Sequence, residues 1–567
     1  MTTLRMLQHA WTGLCAAAVL AACAAPASTD PSRGGQRVAS TAPKILTIGI
    51  QRGLPDFSPF TALSVSTSSS NIPPMVNDGL TYVDDGGISH PLKATELPSI
   101  EQGTWRLFDD GRMETVWKLR PNVYWHDGTQ QTIEDYRFAF QVARDRELPR
   151  NLTSLVLAQS DISFPDPLTI VVSWSGPHVD AGIAGPAVYP KHLLEKAYTE
   201  DKLGAFITHP GWTHEYVGDG PYKILQWDLG ADMELARHEQ YYLGRPPFDK
   251  VFVKVIGDAN ALVSNILAGA LDVVLPPGIS LDSAVEVRNL WQGTGNEARA
   301  DVVGRIIHFE VQFRPERAKP QFGFVEQPVR QALYQAINRT ALAEYMTSGF
   351  GPLADSWYRP NEPRRAELQI PPFAHDPSVA PGLLAQLGWT KGADGLLVNN
   401  RTGEPFKASI WANQAASWDK LGYAVAEDWK PLGVETEVFP IPPARTGDRE
   451  FEQGYTGVFV TNVNEEQFYV NRLHSSVIPS AATRFVGSNR GGHNNPQVDA
   501  LYDRLVATID PKARAPIERD LVRAVIGGLV MMPFYWETLP VLKLKGVKDH
   551  KVKTGNSTWF FFDWDKE

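Results

Sequence analysis

Short apolar runs separated by helical patterns predict a mixed α/β architecture for this chain. The segment 45-ILTIGI-50 is apolar and rich in β-branched residues, so it predicts a buried strand at the start of the ordered body. Comparable strand-like runs occur at residues 170–172, 251–256 and 271–274. After Val329 the apolar spacing is helical instead, and it predicts one buried face formed by Ala332, Leu333, Ala336 and Ile337.

The stretch 123-VYWHDGTQQTIEDYRFAF-140 places a histidine among acidic residues, which raises the question of an acid/base or metal site. Upstream, Asp110-Gly111 is a turn dipeptide between two alternating segments and predicts a hairpin. His126-Asp127-Gly128 predicts a second turn, and Thr132 stands at an N-cap position with Asp135 three residues on. A turn followed by a capped helix accounts for every residue, so we interpret the stretch as structural rather than catalytic.

The first 23 residues follow the order of a secretory signal. One early cation, Arg5, precedes an apolar stretch that ends in small residues. The ending Leu20-Ala21-Ala22-Cys23 resembles the bacterial lipobox, in which the cysteine is lipidated and becomes the new N-terminus. Residues 24–44 are small, polar and broken by Pro and Gly, which predicts a flexible tether. We therefore expect residues 1–23 to be a lipoprotein signal peptide and Cys23 to be the lipidation site.

The composition of the chain excludes several classes of function for the part that follows the tether. At 567 residues the chain is too long for one core, so at least two domains are expected. The net charge of −10 is spread without a basic block, which argues against nucleic acid as a partner. Beyond Cys15 and Cys23 the sequence has no cysteine, so disulfides and thiolate chemistry are not expected. No H-E-x-x-H, G-x-S-x-G or P-loop pattern occurs, and we predict no metal, no cofactor and no enzymatic activity.

Several segments carry a family signature in a fixed order. WKLRPNVYWHDGTQQTIEDYRFAF begins it, followed by 218-GDGPYKILQW-227, 328-PVRQALYQAINR-339, 376-DPSVAPGLLAQLGW-389 and 495-NPQVDALYDRLVATIDPKAR-514. Together they resemble the bacterial extracellular solute-binding proteins of family 5, the dipeptide and oligopeptide binders of ABC importers. Asn338 replaces an aspartate of the pattern, and Pro381 interrupts its helix near the start. The resemblance extends from about Ile45 to Trp564.

This resemblance implies an α/β fold of two lobes, the periplasmic-binding-protein fold of type II, cluster C, with an extra subdomain in the first lobe. The expected boundaries are lobe I at 45–303, its inserted subdomain at about 75–200, lobe II at 304–535 and the return to lobe I at 536–567. The chain is expected to cross between the lobes near 303–311 and 533–540. In such a fold the ligand shifts the population toward the closed form, because it touches both lobes only there.

The function implied by the resemblance is that of a substrate-binding subunit of an ABC importer, which captures peptides and delivers them to a permease and its ATPase. We expect an extracytoplasmic monomer, lipid-anchored to the cell membrane. Three alternatives stay open: the same fold with an oligosaccharide or another polar solute as ligand, a surface receptor without transport, and a lipid-anchored hydrolase. The hydrolase remains because paired carboxylates are arranged in space and not in sequence.

The resemblance also indicates candidate ligand-binding residues in the second lobe. Peptide binders of the family carry a W-x-x-D-Y-x-x-P stretch, whose aspartate meets the ammonium group of the ligand. In this chain Phe459 falls at the tryptophan and Asn462 at the aspartate. An amide accepts hydrogen bonds but lacks the charge that strengthens an ammonium contact, and the nearby Glu465 is a candidate to supply it.

Three further candidates lie before that stretch. Trp411 and Trp418 are either core residues or platforms on which a ligand lies. Arg445 is either a surface charge or a partner for the carboxylate of a peptide. A guanidinium group suits the second role, because its planar donors match the two oxygens of a carboxylate.

Overall fold

The structure, a computed structural model, describes most of the body of the chain. The described residues are 42–60, 71–84, 88–148, 158–183, 185–360, 362, 364–414, 417–464, 471–483, 485–549, 558 and 560–567. The predicted signal peptide, Cys23, residues 24–41 of the predicted tether and Glu465 lie outside the described residues. The fold below is that of the unit Pro43–Glu567. Within its described part, we find no helix with both the length and the apolar character that crossing a bilayer requires.

The first part of the chain combines a large and a small sheet. Its described strands are β1 Ile45–Ile50, β2 Thr81–Val83, β3 Ser89–Pro91, β4 Trp105–Leu107, β5 Met113–Lys118, β6 Gln159–Asp166, β7 Thr169–Trp174, β8 Tyr222–Trp227, β9 Met233–Arg237, β10 Lys250–Val255 and β11 Val273–Val274. Its described helices are α1 Pro73–Val76, α2 Ile133–Arg144, α3 Lys191–Glu200, α4 Ala259–Leu267 and α5 Leu281–Leu290.

The second part is richer in helices. Its described helices are α6 Gln327–Ala336, α7 Arg339–Thr347, α8 Arg365–Leu368, α9 Ala380–Gln386, α10 Asp419–Trp429, α11 Pro496–Ala507 and α12 Pro511–Val522. Its described strands are β12 Glu297–Val311, β13 Trp389–Lys391, β14 Leu397–Asn399, β15 Lys407–Asn413, β16 Glu435–Ile441, β17 Val458–Asn464, β18 Met531–Lys543, β19 Val547–Lys548 and β20 Asp565–Lys566.

One ten-stranded sheet runs through the whole body in the order β16-β15-β17-β12-β18-β11-β1-β10-β9-β8. The strands β11, β1, β10, β9 and β8 belong to the first part of the chain, and we call the body around them lobe I. The strands β17, β15 and β16 belong to the second part, and the body around them is lobe II. The long strands β12 and β18 lie between the two groups and pair with each other. Their register shifts between Val302 and Ile306, which marks a bulge where the lobes join.

Each lobe has its own apolar core, which is the physical reason for two bodies on one sheet. The core of lobe I includes Leu46, Ile48 and Val251, all without solvent exposure. A core of lobe II packs α6 and α10 against β15 and β17, and includes Leu333 and Ile410. The predicted face of α6 is confirmed: its four apolar residues are buried, although the helix ends at Ala336 and Ile337 is the C-cap.

A four-stranded antiparallel sheet, in the order β4-β5-β7-β6, forms a separate layer with α2 in lobe I. The predicted hairpin at Asp110-Gly111 joins β4 to β5, and Gly111 has a φ of 83°, which favours glycine. In lobe II, Pro381 lies in the first turn of α9, where a missing N–H costs no helical hydrogen bond. It therefore starts that helix after a short 3-10 turn at Pro377–Val379 rather than breaking it.

Candidate functional site

In lobe I, the acidic stretch around His126 is hydrogen-bonded to the loop 218–220. The Nδ1 atom of His126 accepts a hydrogen bond from the backbone N–H of Gly218 at 3.2 Å, and its Nε2 atom bonds the carbonyl of Gly220 at 3.1 Å. Burial, with a smaller effect from His238, lowers the pKa of His126 to about 3, so the ring is neutral. The histidine thus ties its turn to the loop 218–220.

The acidic residues of the same stretch accept hydrogen bonds from the starts of α2 and α3. Asp127 accepts from His192 of α3 at 2.6 Å. Asp135 closes the predicted capping box, because its Oδ2 atom accepts from the backbone N–H of Thr132 at 2.8 Å. Its Oδ1 atom accepts from the backbone N–H of Lys191, the first residue of α3, at 3.0 Å. The predicted turn and capped helix are confirmed, and these carboxylates hold two helices together.

Strand β17 carries two of the predicted ligand-binding residues, on opposite faces of the sheet. Successive side chains of a strand alternate in direction, so Phe459 and Asn462 point to different sides. Val458 and Val460, on the side of Asn462, belong to the core with α6 and α10. Asn462 itself is half-buried. Its carbonyl accepts a long hydrogen bond of 3.4 Å from the half-buried Arg472.

Phe459 belongs to an aromatic cluster on the other face. It is only 3% exposed, and Trp411 is its register partner on β15. The Trp411 ring centroid lies 4.7 Å from that of Phe439 and 5.0 Å from that of Phe451. Arg445 reaches the same cluster, with its guanidinium 4.0 Å from the Phe451 ring centroid, and also pairs with Asp448 at 2.9 Å. The structure thus brings Trp411, Phe459 and Arg445 together.

Trp418 lies apart from that cluster. It is half-buried, precedes the first residue of α10 and packs against the core on the side of Asn462. The predicted site residues are therefore divided between the two faces of the sheet, with Trp418 and Asn462 on one and Trp411, Phe459 and Arg445 on the other.

An arginine that the sequence did not indicate lies beside Phe459. The guanidinium of Arg490 stands 4.6 Å from the Phe459 ring centroid, pairs with Glu452 at 3.0 Å and with Glu310 at 3.3 Å, and donates to Thr461 at 2.9 Å. Burial opposes its charge, but the two carboxylates outweigh burial and raise the pKa of Arg490. No local pattern connects these residues, because Glu310 and Arg490 are 180 positions apart.

We searched the described part of the chain for side chains that could bind a metal ion. There, no group of three or more His, Cys, Asp or Glu side chains is arranged to hold an ion. Around β17 the described residues of lobe II instead combine an aromatic cluster with the paired charges of Arg490, Glu310 and Glu452.

Comparison with known proteins identifies a family with which this chain shares its sequence pattern. Residues 102–478 match the family described as bacterial extracellular solute-binding proteins, family 5. Over 384 residues the chain is 26% identical to the oligopeptide-binding protein AppA of Bacillus subtilis, a match that covers 66% of this chain and 65% of that protein, just under two thirds of its length.

Two solved structures share the fold. The oligopeptide-binding protein of Thermus thermophilus, complexed with a pentapeptide, is 20% identical with a TM-score of 0.67 over 92% of this chain and 96% of that one. NikA of Brucella suis, in complex with Fe(III)-EDTA, is 16% identical with a TM-score of 0.74 over 92% and 100%. These likenesses show the two-lobed type II α/β fold that the sequence predicts. The chain belongs to the bacterial extracellular solute-binding proteins of family 5.

Proposed function

We propose that this protein is the substrate-binding subunit of an ABC importer, which captures peptides in the cleft between its lobes and delivers them to a membrane permease and its ATPase. The observation that carries the proposal is the family match, which begins within lobe I and ends in lobe II, beyond β17. The names of relatives support peptide as the ligand, since the Bacillus subtilis protein is called oligopeptide-binding.

The arrangement of the sheet supports closure of the lobes as the working step. Lobes I and II share β12 and β18, and the bulge between Val302 and Ile306 interrupts their pairing. A ligand that contacts both lobes raises the population of the closed form by its differential affinity for that form. We take the lobe boundaries as 45–303 for lobe I and 304–535 for lobe II, with 536–567 returning to lobe I.

The membrane attachment belongs to the same proposal. The sequence Leu20-Ala21-Ala22-Cys23 supports lipidation of Cys23 after removal of the segment that precedes it. An acyl anchor holds a protein at a membrane without a spanning helix, and residues 24–44 would then be the tether that carries the body.

Native mass spectrometry of the chain, purified without denaturation, tests the ligand. A series of peptide masses is the result expected if the protein captures peptides. One discrete mass of a sugar or another polar solute would replace peptide by that ligand. Hydrolysed products of an added peptide or glycoside would instead indicate the hydrolase alternative. Under denaturing conditions, the mass of the mature N-terminus reports the acyl chains on Cys23.

The role of Asn462 is tested by Asn462→Asp. If the side chain meets the ammonium group of the peptide, a carboxylate strengthens that contact, and we expect about tenfold tighter peptide binding by calorimetry. Asn260→Asp is the matched control, because it adds the same charge at an exposed position of lobe I. Equal or weaker peptide binding by Asn462→Asp would remove Asn462 from this role.

A further inference from the structure

Lobe I contains a cavity that the proposed function does not use, and none of its lining residues lies on β17. Its volume is about 330 Å³, within the range of small-molecule sites. Its wall includes Tyr82, Leu92 and the consecutive Phe560, Phe561 and Phe562 near the C-terminus, and Asp78 lies in the same lining. The cavity is therefore lined by aromatic and aliphatic side chains, with Asn77 and the carboxyl group of Asp78 as its polar part.

The rings are arranged around the space rather than packed into one stack. The Tyr82 and Phe560 centroids are 4.1 Å apart with an interplanar angle of 78°, and Phe560 and Phe562 are 6.0 Å apart. Phe562 also lies 6.0 Å from Tyr241, which holds Asp78. Aromatic faces carry partial negative charge, so such a wall attracts cations.

Asp78 is held in place by neutral donors. Its Oδ2 atom accepts from the hydroxyls of Tyr241 and Tyr242, each at 2.8 Å, and its backbone N–H donates to Asp219 at 2.9 Å. Among the described residues, no Lys, Arg or His forms an ion pair with Asp78. Burial, followed by the negative charge of Asp219, raises the pKa of Asp78 to about 7.

The cationic side chains near Asp78 are bound to other groups. Lys93 pairs with Asp219, and both side chains are almost completely buried. Arg120 lies over the Tyr242 ring at 6.0 Å from its centroid, but its Nε atom donates to the carbonyl of Leu92. Among the described residues, no cation therefore pairs directly with the carboxyl group of Asp78, which lines the cavity.

We propose that this cavity is a second binding site, for a small organic cation such as an alkylammonium group, with the aromatic rings as its wall and Asp78 as its counter-charge. An anion is disfavoured by Asp78, and a neutral apolar molecule gains nothing from its carboxyl group, whereas a cation stabilises the ionised form of that group. The cation satisfies both parts of the lining at once. All lining residues of the cavity precede residue 93 or follow residue 559, so none belongs to lobe II, and the proposal holds whether or not the transported ligand is a peptide.

Calorimetry with choline and its neutral carbon isostere 3,3-dimethylbutan-1-ol tests the site on the purified full chain. The two molecules have nearly the same shape and differ in charge. We expect choline to bind at one site per chain, and the isostere to bind at least about tenfold more weakly. Equal binding of the two molecules, or no binding of choline at millimolar concentration, would overturn the proposal.

Two substitutions assign the binding to this cavity. Asp78→Asn keeps acceptors for both tyrosines but removes the charge, and choline binding should be lost. Phe562→Leu keeps the charge but removes a ring, and should weaken choline binding several-fold even if Asp78→Asn does not fold. Glu239→Gln is the control, because it removes an exposed carboxylate of the same lobe. Choline binding that is unchanged in a folded Asp78→Asn or in Phe562→Leu would contradict the assignment.

Discussion

At the scale of single residues, Asp78 links the stability of the protein to pH. The pKa of its carboxyl is about 7 in the folded chain, against 3.8 as the ordinary value. Between these values the folded state holds a proton that the unfolded state has released, so the contribution of Asp78 to stability falls as the pH rises from about 4 to 7. The charged groups that set this pKa, Asp219 and Lys93, are themselves paired.

Asp78→Asn is expected to remove this dependence. Each unit of pKa difference corresponds to about 1.4 kcal/mol, so the free energy of unfolding of the variant should exceed that of the parent by a few kcal/mol at pH 8. The two proteins should be similar near pH 4, where the carboxyl is protonated in both states. Urea unfolding at a series of pH values, without choline, measures this, with Glu239→Gln as control. A constant difference between the variant and the parent would show that Asp78 does not titrate in this range.

Residues of the site could be predicted only where a local pattern exists. The stretch around His126 was interpreted correctly, because turns and caps depend on neighbours within a few positions. The pairs Lys93–Asp219 and Glu310–Arg490 join residues 126 and 180 positions apart, and no local signal indicates them. The predicted ligand contacts of Asn462, Trp411 and Arg445 stay predictions, although the structure divides those residues between two faces of the sheet.

At the scale of elements, Asp135 serves the N-termini of two helices. Its carboxylate accepts from the backbone of Thr132 at the start of α2 and from the backbone of Lys191 at the start of α3. The spacing of Thr132 and Asp135 predicts the start of α2 and its N-cap, where the first contact lies. The second joins residues 56 positions apart and became visible only in the fold.

Removing both contacts of Asp135 should therefore lower the free energy of unfolding more than removing the N-cap of α2 alone. Thr132→Ala should lower the free energy of unfolding by about 1 kcal/mol, the usual effect of an N-cap. Asp135→Ala should lower it by roughly 2 to 4 kcal/mol, because the buried carboxyl group that is lost is the acceptor of a backbone N–H at the start of both helices. Glu134→Ala is the control, since its exposed ion pairs contribute little. Equal effects of Thr132→Ala and Asp135→Ala in urea unfolding would mean that the contact with α3 adds no stability.

Elements with strong periodicity were predicted well, and their ends less so. The strand predicted at 45–50 agrees with β1, and the helix predicted after Val329 agrees with α6 except at its end, where Ile337 is the C-cap. The apolar run 271–274 contains a strand of only two residues, because pairing with β1 and β18 is available only at Val273 and Val274. Strand length depends on the neighbouring strands, which the sequence of one segment does not contain.

At the scale of the whole molecule, the lobes touch each other away from β12 and β18. The short turn Val179–Gly182 of lobe I packs against α11 of lobe II. Ile509, which follows α11, completes the apolar cluster of the four-stranded sheet together with Trp174 and Ala181. Burial, with the charge of Asp180, raises the pKa of Tyr502 on α11 to about 12. Contacts of this kind exist only while the lobes are close.

Ile509→Ala should therefore act on closure more than on folding. Removing apolar contact between the lobes stabilises the open form relative to the closed one, and a ligand that needs closure then binds more weakly. We expect about tenfold lower affinity for the ligand identified by native mass spectrometry, equivalent to about 1.4 kcal/mol, and a larger radius of gyration of the free protein in small-angle scattering. Ile517→Ala is the matched control, because Ile517 is buried in an apolar cluster with α11 and α12 and takes no part in the cluster of the four-stranded sheet. That variant should lose stability while keeping its ligand affinity and its dimensions. If Ile509→Ala behaves as Ile517→Ala does, the contact supports folding and the equilibrium between open and closed lobes is set elsewhere, at β12 and β18.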